Sequence, residues 1–191
     1  MNPSILSQQE VIAATQRWLE RAVIGLNLCP FAKSVHVKGQ VRYVVSDARD
    51  DESLLADLER ELQALQTVDP AEVDTTLLIH PWVLNAFEDF AGFLDLVTVV
   101  LRTHRLEGIL QVASFHPDYV FADSDPNDIT NYTNRAPFPT LHLLREASLD
   151  RAVAAFPDAA AIYERNMQTL RELGGEAWQA LDVGAPQRDG S

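Results

Sequence analysis

Residues 108–121, GILQVASFHPDYVF, and residues 135–146, RAPFPTLHLLRE, are two apolar segments on either side of the polar segment 123–134, DSDPNDITNYTN. β-Branched and aromatic residues predict a strand at 109–115 and a shorter strand at 140–144. The connection between the two strands is long for a compact domain, and such loops are often functional or disordered. We therefore expect the functional site at this loop and at the strand ends beside it.

Outside this stretch, hydrophobic periodicity predicts helices that alternate with strands. The helices are expected at 7–26, 50–66, 85–105, 148–156 and 158–173, and the further strands at 40–46 and 75–80. The order α-β-α-β-α-β-loop-β-α-α indicates an α/β or α+β sandwich around one sheet of about four strands. Right-handed β-α-β crossovers would make this sheet mostly parallel. We expect one globular domain over residues 1–181 and a disordered tail over 182–191.

The composition indicates a chain that can bury its own hydrophobic core. It has 191 residues, 47% of them hydrophobic, and one cysteine, Cys29, which excludes an intrachain disulfide. A cytoplasmic location is expected, because the N-terminus lacks a signal-peptide pattern and no apolar run is long enough to span a bilayer. The net charge of −13 argues against nucleic acid and anionic membranes as partners, since both attract basic surfaces.

Two segments of this acidic chain contain basic residues but no acidic ones. Residues 21–46 include Lys33 and Lys38, and residues 129–145 include Arg135 and Arg145. These segments suggest a binding site for a small anionic molecule, in which an arginine fork can hold a carboxylate or phosphate. The alternative is chance spacing, together with core segments that exclude all charge.

Two strands are followed by the same dipeptide, His80-Pro81 and His116-Pro117. If these strands are parallel, both histidines lie at the edge where open parallel sheets bind ligands. His80, His116, Asp118 and His142 are therefore candidate ligands for a divalent transition metal. His116 is also a candidate general acid or base, with Asp118 orienting it. The alternative is a pair of histidines that end their strands and hydrogen-bond to the backbone.

Cys29 lies in the segment GLNLCPFAK, residues 25–33. It is a candidate nucleophile or metal ligand, although a position at a helix C-terminus would raise the pKa of its thiol. Lys33 and His36 are close enough in sequence to offset that effect. The alternative is a small residue of the core.

The segment NYTNRAPFPTLHLLRE, residues 131–146, contains many side chains that recognise ligands. Asn131, Tyr132 and Asn134 are candidate ligand-binding residues, together with the cations Lys33, Arg135 and Arg145. The alternative is a loop held in place by asparagine side chains that hydrogen-bond to the backbone. The sequence contains no glycine-rich phosphate loop and no GxSxG serine motif.

The segments GLNLCPFAK (25–33), SFHPDYVF (114–121) and NYTNRAPFPTLHLLRE (131–146) resemble those of a bacterial protein family of unknown function. The resemblance covers the chain except its tail. It implies a compact cytoplasmic protein in which the three segments form one site, and it implies no catalytic roles.

These observations favour an enzyme that acts on a small anionic metabolite through a His/Arg site, with or without a metal. A non-catalytic module that binds a metabolite or a metal would use the same residues without an acid/base pair. A third hypothesis is a protein-interaction module, in which the acidic segment 50–74 is the contact surface.

Overall fold

The computed structural model describes residues 6–155 and 161–186 and contains one four-stranded mixed sheet with helices on both faces. The strands are β1 (Val41–Val45), β2 (Thr75–Ile79), β3 (Leu110–Phe115) and β4 (Thr140–Arg145). The α-helices are α1 (Gln8–Trp18), α2 (Ala32–Val37), α3 (Asp51–Thr67), α4 (Phe87–Thr103), α5 (Glu146–Ala154) and α6 (Ala161–Ala180). A π-helical segment, Leu19–Ile24, continues α1, and a 3-10 helix, Ile129–Asn134, lies between β3 and β4.

The strand order in the sheet is β1-β2-β4-β3, with β1 parallel to β2 and β4 antiparallel to both β2 and β3. The prediction of a mostly parallel sheet is therefore wrong. The loop after β3 returns the chain at the edge where β3 ends, so β4 has to run back between β2 and β3. The crossover rule concerns the handedness of β-α-β connections and does not determine where or in which direction a later strand enters the sheet.

Three strands nevertheless leave the sheet at one edge. Because β4 is antiparallel to both of its neighbours, β1, β2 and β3 point the same way. Thr140, the first residue of β4, lies opposite both Ile79 and Phe115, the last residues of β2 and β3. We call this edge, where β1, β2 and β3 end and β4 begins, the strand-end edge.

One face of the sheet packs against α3 and α4. The leucines of α3 recur at helical spacing, so its apolar side faces the sheet. Asp51, Glu52 and Glu59 are exposed to solvent, whereas Glu61 is buried and pairs with Arg42 at 3.1 Å. The shared core on this face includes Leu54 and Leu58 of α3, Phe90 and Phe93 of α4, and the strand residues Leu78, Leu110, Leu141 and Leu143.

The other face is covered by α1, the π-helical segment and α6. Val11 and Ala14 of α1 pack on Leu77 and Ile79 of β2. Further along, Trp18 meets Phe115 of β3 edge to face, with ring centroids 5.2 Å apart. Trp18 belongs to a further cluster of buried apolar residues, to which α6 contributes Leu170 and Trp178. We call it the second cluster.

The helix expected at 7–26 begins with the capping box formed by Ser7 and Glu10, as its spacing indicates. It changes to π-helical geometry at Leu19, which sequence periodicity does not show. The backbone N–H of Gly25 bonds to the carbonyl of Glu20, 3.0 Å away, which closes the wider turn. A Cβ atom at Gly25 would overlap the carbonyl oxygen of Arg21, so this position requires glycine.

Other differences concern helix boundaries. The short helix α2 was not expected, and the N-cap of α4 is Ala86, one residue after the expected Asn85. Gly174 interrupts α6 with a φ of 74°, close to the expected helix end, and helical structure then resumes as far as Ala180. The expected helix boundaries at 156 and 158 lie outside the described residues.

The expected tail begins with residues that contact the rest of the chain. The side chain of Arg17 donates to the carbonyl of Asp182 at 2.7 Å, and Val183 is buried in the second cluster. Residues 187–191 lie outside the described part, and a disordered tail stays a prediction. Within residues 6–155 and 161–186, no helix has the length and apolar character needed to cross a bilayer.

We expect Gly25→Ala to lower the free energy of unfolding by about 1 to 3 kcal/mol, because the methyl group meets backbone that cannot move aside freely. Gly92→Ala is the matched control. Gly92 lies on the exposed side of α4 with open space at its Cβ position, so alanine should stabilise the helix by up to about 1 kcal/mol. Urea unfolding of both variants tests the difference, and equal stabilities would show that the π-helical turn does not require glycine.

Candidate functional site

His80 and His116 lie together at the strand-end edge and are both fully buried. Each packs against Phe90 of α4, with ring centroids 5.7 Å apart for His80 and 5.1 Å apart for His116. Each follows a strand directly and precedes a proline, which disfavours helical backbone at the histidine and ends the strand. The two HP dipeptides therefore place both imidazoles against the first turn of α4.

Both imidazoles hydrogen-bond to the connection between β2 and α4. Nδ1 of His80 lies 3.1 Å from the carbonyl oxygen of Val83, and Nε2 of His116 lies 3.1 Å from that of Leu84. A carbonyl only accepts, so each of these ring nitrogens carries a proton. We call these two hydrogen bonds the histidine clamps. They hold Leu84 at a φ of 57°, an uncommon conformation for a residue with a side chain.

The second nitrogen of His116 is also engaged. The backbone N–H of Asp118 donates to Nδ1 of His116 at 3.0 Å, so this ring is neutral and bonded at both nitrogens. Burial is the main cause that lowers the pKa of His116, and burial likewise lowers the pKa of His80 to about 4. Both clamps therefore consist of neutral imidazoles near pH 7.

His142 lies on the opposite face of the sheet. It is directly across from Leu77, which packs on α1, whereas the two clamp residues pack on α4. Its Nε2 lies 2.6 Å from Oγ1 of Thr75, whose hydroxyl donates to the carbonyl of Leu143 at 2.7 Å. Nε2 is therefore the donor to Thr75, and burial lowers the pKa of His142 to about 4.

These contacts do not support the expected metal site. Among residues 6–155 and 161–186, no three His, Cys, Asp or Glu side chains are grouped so that they could hold a metal ion. Nε2 of His80 has no hydrogen-bond partner within the described chain, but a single imidazole nitrogen supplies too few ligands. A site built from His80, His116, Asp118 and His142 stays a prediction.

The arginines expected to hold an anion lie at opposite ends of β4. Arg135 donates to the carbonyls of Tyr119 at 3.2 Å and Pro126 at 2.9 Å. Its guanidinium also lies 4.3 Å from the centre of the Tyr132 ring. Arg145, the last residue of the strand, donates to the carbonyls of Val68 and Val73 at 2.8 and 3.1 Å. Each guanidinium fixes backbone, and the two do not converge.

The expected ligand-binding residues of the loop have similar structural contacts. Asn131 is fully buried, accepts from the N–H of Phe121 at 3.0 Å and donates to the carbonyl of Asp125 at 2.8 Å. Asn134 donates to the carbonyl of Ser114 at 3.1 Å. These are the backbone contacts that the alternative interpretation of the segment describes.

Tyr132 packs edge to face on Trp178 of α6, with ring centroids 5.0 Å apart. The aromatic ring therefore joins the 3-10 helix to α6 beneath the guanidinium of Arg135. With the two asparagines, it makes this loop an ordered part of the fold.

Cys29 is half-buried against the second core cluster and lies three residues before Ala32, the first residue of the short helix α2. Burial raises the pKa of its thiol, and hydrogen bonds from the backbone of Phe31 and Ala32 offset only part of that effect. Lys33 is exposed on α2. A small pocket of about 220 Å³ lies beside this segment, lined by Asn27, Pro30 and residues of α6.

A larger open groove of about 610 Å³ lies at the strand-end edge, between the N-terminus of α3 and the first turns of α4. We call it the strand-end groove. Its apolar floor consists of Val83, Leu84, Phe93 and Leu96. The histidine clamps fix the first two of these residues, so the buried imidazoles position that part of the floor.

The rim of the groove is acidic. It carries Asp50 and Asp51 from α3 and Glu88 and Asp89 from α4, all of them exposed. A hydrogen bond from the Ser53 N–H lowers the pKa of Asp50, which keeps that carboxylate charged. The single cation of the rim lining, Arg49, lies over the ring of Trp82 at 4.9 Å.

Sequence reasoning missed this groove because its acidic residues have another explanation. Acids in the first turn of a helix favour the helix dipole, so the acidic residues at 50–51 and 88–89 look like those of ordinary helix starts. The signal that could have identified the groove is that both acidic pairs begin the helices that follow the parallel strands β1 and β2.

In comparisons with known proteins, a family match covers one continuous segment of the chain. Residues 10–180 match the sequence model of a family described as "Protein of unknown function (DUF1415)". The chain belongs to the DUF1415 family. This confirms the resemblance to a family of unknown function. The DUF1415 match includes all four strands, the histidine clamps and the strand-end groove. No curated protein and no solved structure matches the chain.

We expect the free energy of unfolding of this DUF1415 protein to fall as the pH is lowered from 7 to 4. Burial lowers the pKa of His80, His116 and His142, so in this range the unfolded chain binds more protons than the folded chain. Their contribution is complete above the unfolded pKa of about 6.5 and is lost as the pH falls through the folded pKa. A fully buried ring with a pKa near 4 contributes on the order of 3 kcal/mol.

Urea unfolding at several pH values measures this loss. His142→Gln keeps a donor for Thr75 but removes the titrating ring, so the loss between pH 7 and 4 should shrink. His104→Gln, at an exposed ring of α4's C-terminus, is the control and should retain the full loss. Identical pH profiles for His142→Gln and the wild type would contradict the assignment.

We expect the thiol of Cys29 to react slowly with iodoacetamide, because its raised pKa leaves little thiolate at neutral pH. At pH 7.5 the rate should be at least several-fold below that of free cysteine, measured by mass spectrometry under native conditions. Urea-unfolded protein, in which the burial is lost, is the control and should react at the free rate. A native rate above that of free cysteine would restore Cys29 as a candidate nucleophile.

Proposed function

We propose that this DUF1415 protein is a non-catalytic binding module that holds a positively charged, partly apolar group in the strand-end groove. The observation that carries the proposal is the combination of an apolar floor with a rim of four carboxylates, Asp50, Asp51, Glu88 and Asp89. Ligand pockets commonly combine apolar walls with a few polar groups that fix orientation. The groove also lies where open α/β sheets bind ligands.

Binding is favoured over catalysis because the imidazole of His116, the candidate general acid or base, is already engaged. A general acid or base must reach the proton that it transfers. His116 is buried and bonded at both nitrogens, and Asp118 contributes its backbone N–H to that arrangement. The raised pKa of Cys29 opposes a nucleophilic role for its thiol.

A cationic ligand is favoured over the anionic ligand expected from the sequence. The positive ends of the α3 and α4 dipoles would attract an anion, but first-turn carboxylates already occupy both helix starts. An anion in the groove would face the four rim carboxylates, while Arg49 stacks on Trp82. Arg135 and Arg145 hold backbone carbonyls elsewhere.

We also infer a cytoplasmic location from the single cysteine.

We expect 2-phenylethylamine to bind in the groove more tightly than 2-phenylethanol, and 3-phenylpropanoate to bind weakest. The three probes share an apolar body and differ in charge, so their order reports the electrostatics of the rim. Chemical-shift mapping of backbone amides by NMR gives both the affinity and the location. Glu88→Gln/Asp89→Asn should weaken binding of the amine about tenfold, since each surface charge pair contributes on the order of 1 kcal/mol or less.

Glu164→Gln/Glu176→Gln is the matched control for charge. Both residues are exposed on α6, across the sheet from the groove, so the amine affinity should stay within about twofold of wild type. Preferential binding of 3-phenylpropanoate at the groove would overturn the proposal and favour the anionic ligand. A bound amine recovered in chemically altered form would contradict a non-catalytic role.

A further inference from the structure

We propose that the cationic group is carried by a basic amphipathic helix of a protein partner, which lies along the outer side of α4. The inference rests on the proposed function and adds the kind of molecule that occupies the groove. It combines the acidic rim with a second feature, an apolar stripe that continues from the groove along the helix.

The outer stripe of α4 consists of Gly92, Leu96 and Val99, at spacings of four and three residues along one side of the helix. Leu96 is 42% exposed and Val99 is 53% exposed. Gly92 and Leu96 line the groove, and Val99 lies beyond it toward the C-terminus of the helix. A small molecule that fills the groove does not reach Val99, whereas a polypeptide segment does.

The hydrophobic core does not account for this stripe. The buried residues of α4 are Phe90, Phe93, Val97 and Val100, which already cover the side of the helix that faces the sheet. Surface helices of globular proteins usually place polar residues on the opposite side. Contiguous exposed apolar residues beside a polar rim are typical of protein interaction sites.

Charge complementarity determines the partner's chemistry. Glu88 and Asp89 precede the stripe, and the exposed Asp95 lies within it along the sequence. Arg102, in the last turn of α4, lies 3.5 Å from the carboxylate of Glu107. A partner helix therefore needs basic residues opposite the N-terminal end of α4 and apolar residues opposite its middle.

The dimensions of α4 set the spacing in the partner. From Glu88 to Val99 the helix rises about 16 Å, so the apolar contacts of a helical partner lie about four to eleven residues from its basic contacts. Lysine and arginine are favoured in the last turn of a helix. The partner helix then runs antiparallel to α4, with its basic C-terminal turn over the rim carboxylates.

Fluorescence polarisation with labelled 18-residue helical peptides tests the proposal. The probe carries arginines in its last turn and leucines at helical spacing centred about seven residues earlier. Two further versions replace the arginines or the leucines with glutamine. We expect the full probe to bind, and each replacement to weaken binding at least tenfold. A probe with the arginines in its first turn should also bind more weakly.

Val99→Gln separates the peptide from the small ligand. Val99 is exposed and lies outside the groove, so the protein should fold normally and its affinity for 2-phenylethylamine should stay within about twofold. Its affinity for the peptide should fall about fivefold or more, because one apolar contact is lost. Val153→Gln, at an exposed valine of α5, is the matched control and should change neither affinity.

The outcomes distinguish the two proposals. Binding of 2-phenylethylamine without binding of the peptide, or equal peptide affinities for wild type and Val99→Gln, would overturn the partner helix and leave the cation site intact. Failure of both probes would overturn both proposals. Peptide binding that depends on Val99, on the rim carboxylates and on the arginines of the probe would support both.

Discussion

The burial of two neutral imidazoles is the constraint on which the strand-end edge depends. His80 and His116 would each lose hydration on burial, and their hydrogen bonds to Val83 and Leu84 offset that cost. The same bonds hold Leu84 in left-handed backbone, which persists where surrounding contacts determine it. The start of α4 and the floor of the groove follow from this geometry. In the sequence, the two histidines suggest a catalytic pair. In the structure, they hold the backbone that forms part of the groove floor.

In the polar loop between β3 and β4, side chains likewise form hydrogen bonds to the backbone. Asn131, Asn134 and Arg135 donate to backbone carbonyls of the segment that they belong to or adjoin. A buried loop needs such partners, because its backbone groups have no strand or helix to pair with. The density of recognition-type residues in this segment is thus explained by the loop's own folding. Near the start of α4, by contrast, the side chains of Glu88 and Asp89 are exposed.

Local patterns were sufficient to predict the four strands, the main helices and the common edge of the two histidines. Hydrophobic period and proline stops act within a few residues, so the sequence displays them directly. The position of β4 between β2 and β3 depends on pairing across distant segments, and the π-helical turn depends on close backbone contacts around Gly25. The candidate site was harder to predict, because residue type does not tell which nitrogen of His116 or which guanidinium is already bonded. Only the folded structure shows that the guanidinium groups of Arg135 and Arg145 already donate to backbone carbonyls.

The position of β4 between β2 and β3 affects how the sheet forms while the chain is being synthesised. β1 and β2 can pair once residue 79 has been synthesised, but β2 and β3 have no direct bond to each other and are joined only through β4. All four strands therefore cannot pair on the ribosome until residue 145 has left the exit tunnel. Until then the edges of β2 and β3 are unpaired, and such edges are prone to aggregate. Pairing between segments so far apart in sequence also favours slow folding, which lengthens the time during which these edges stay unpaired.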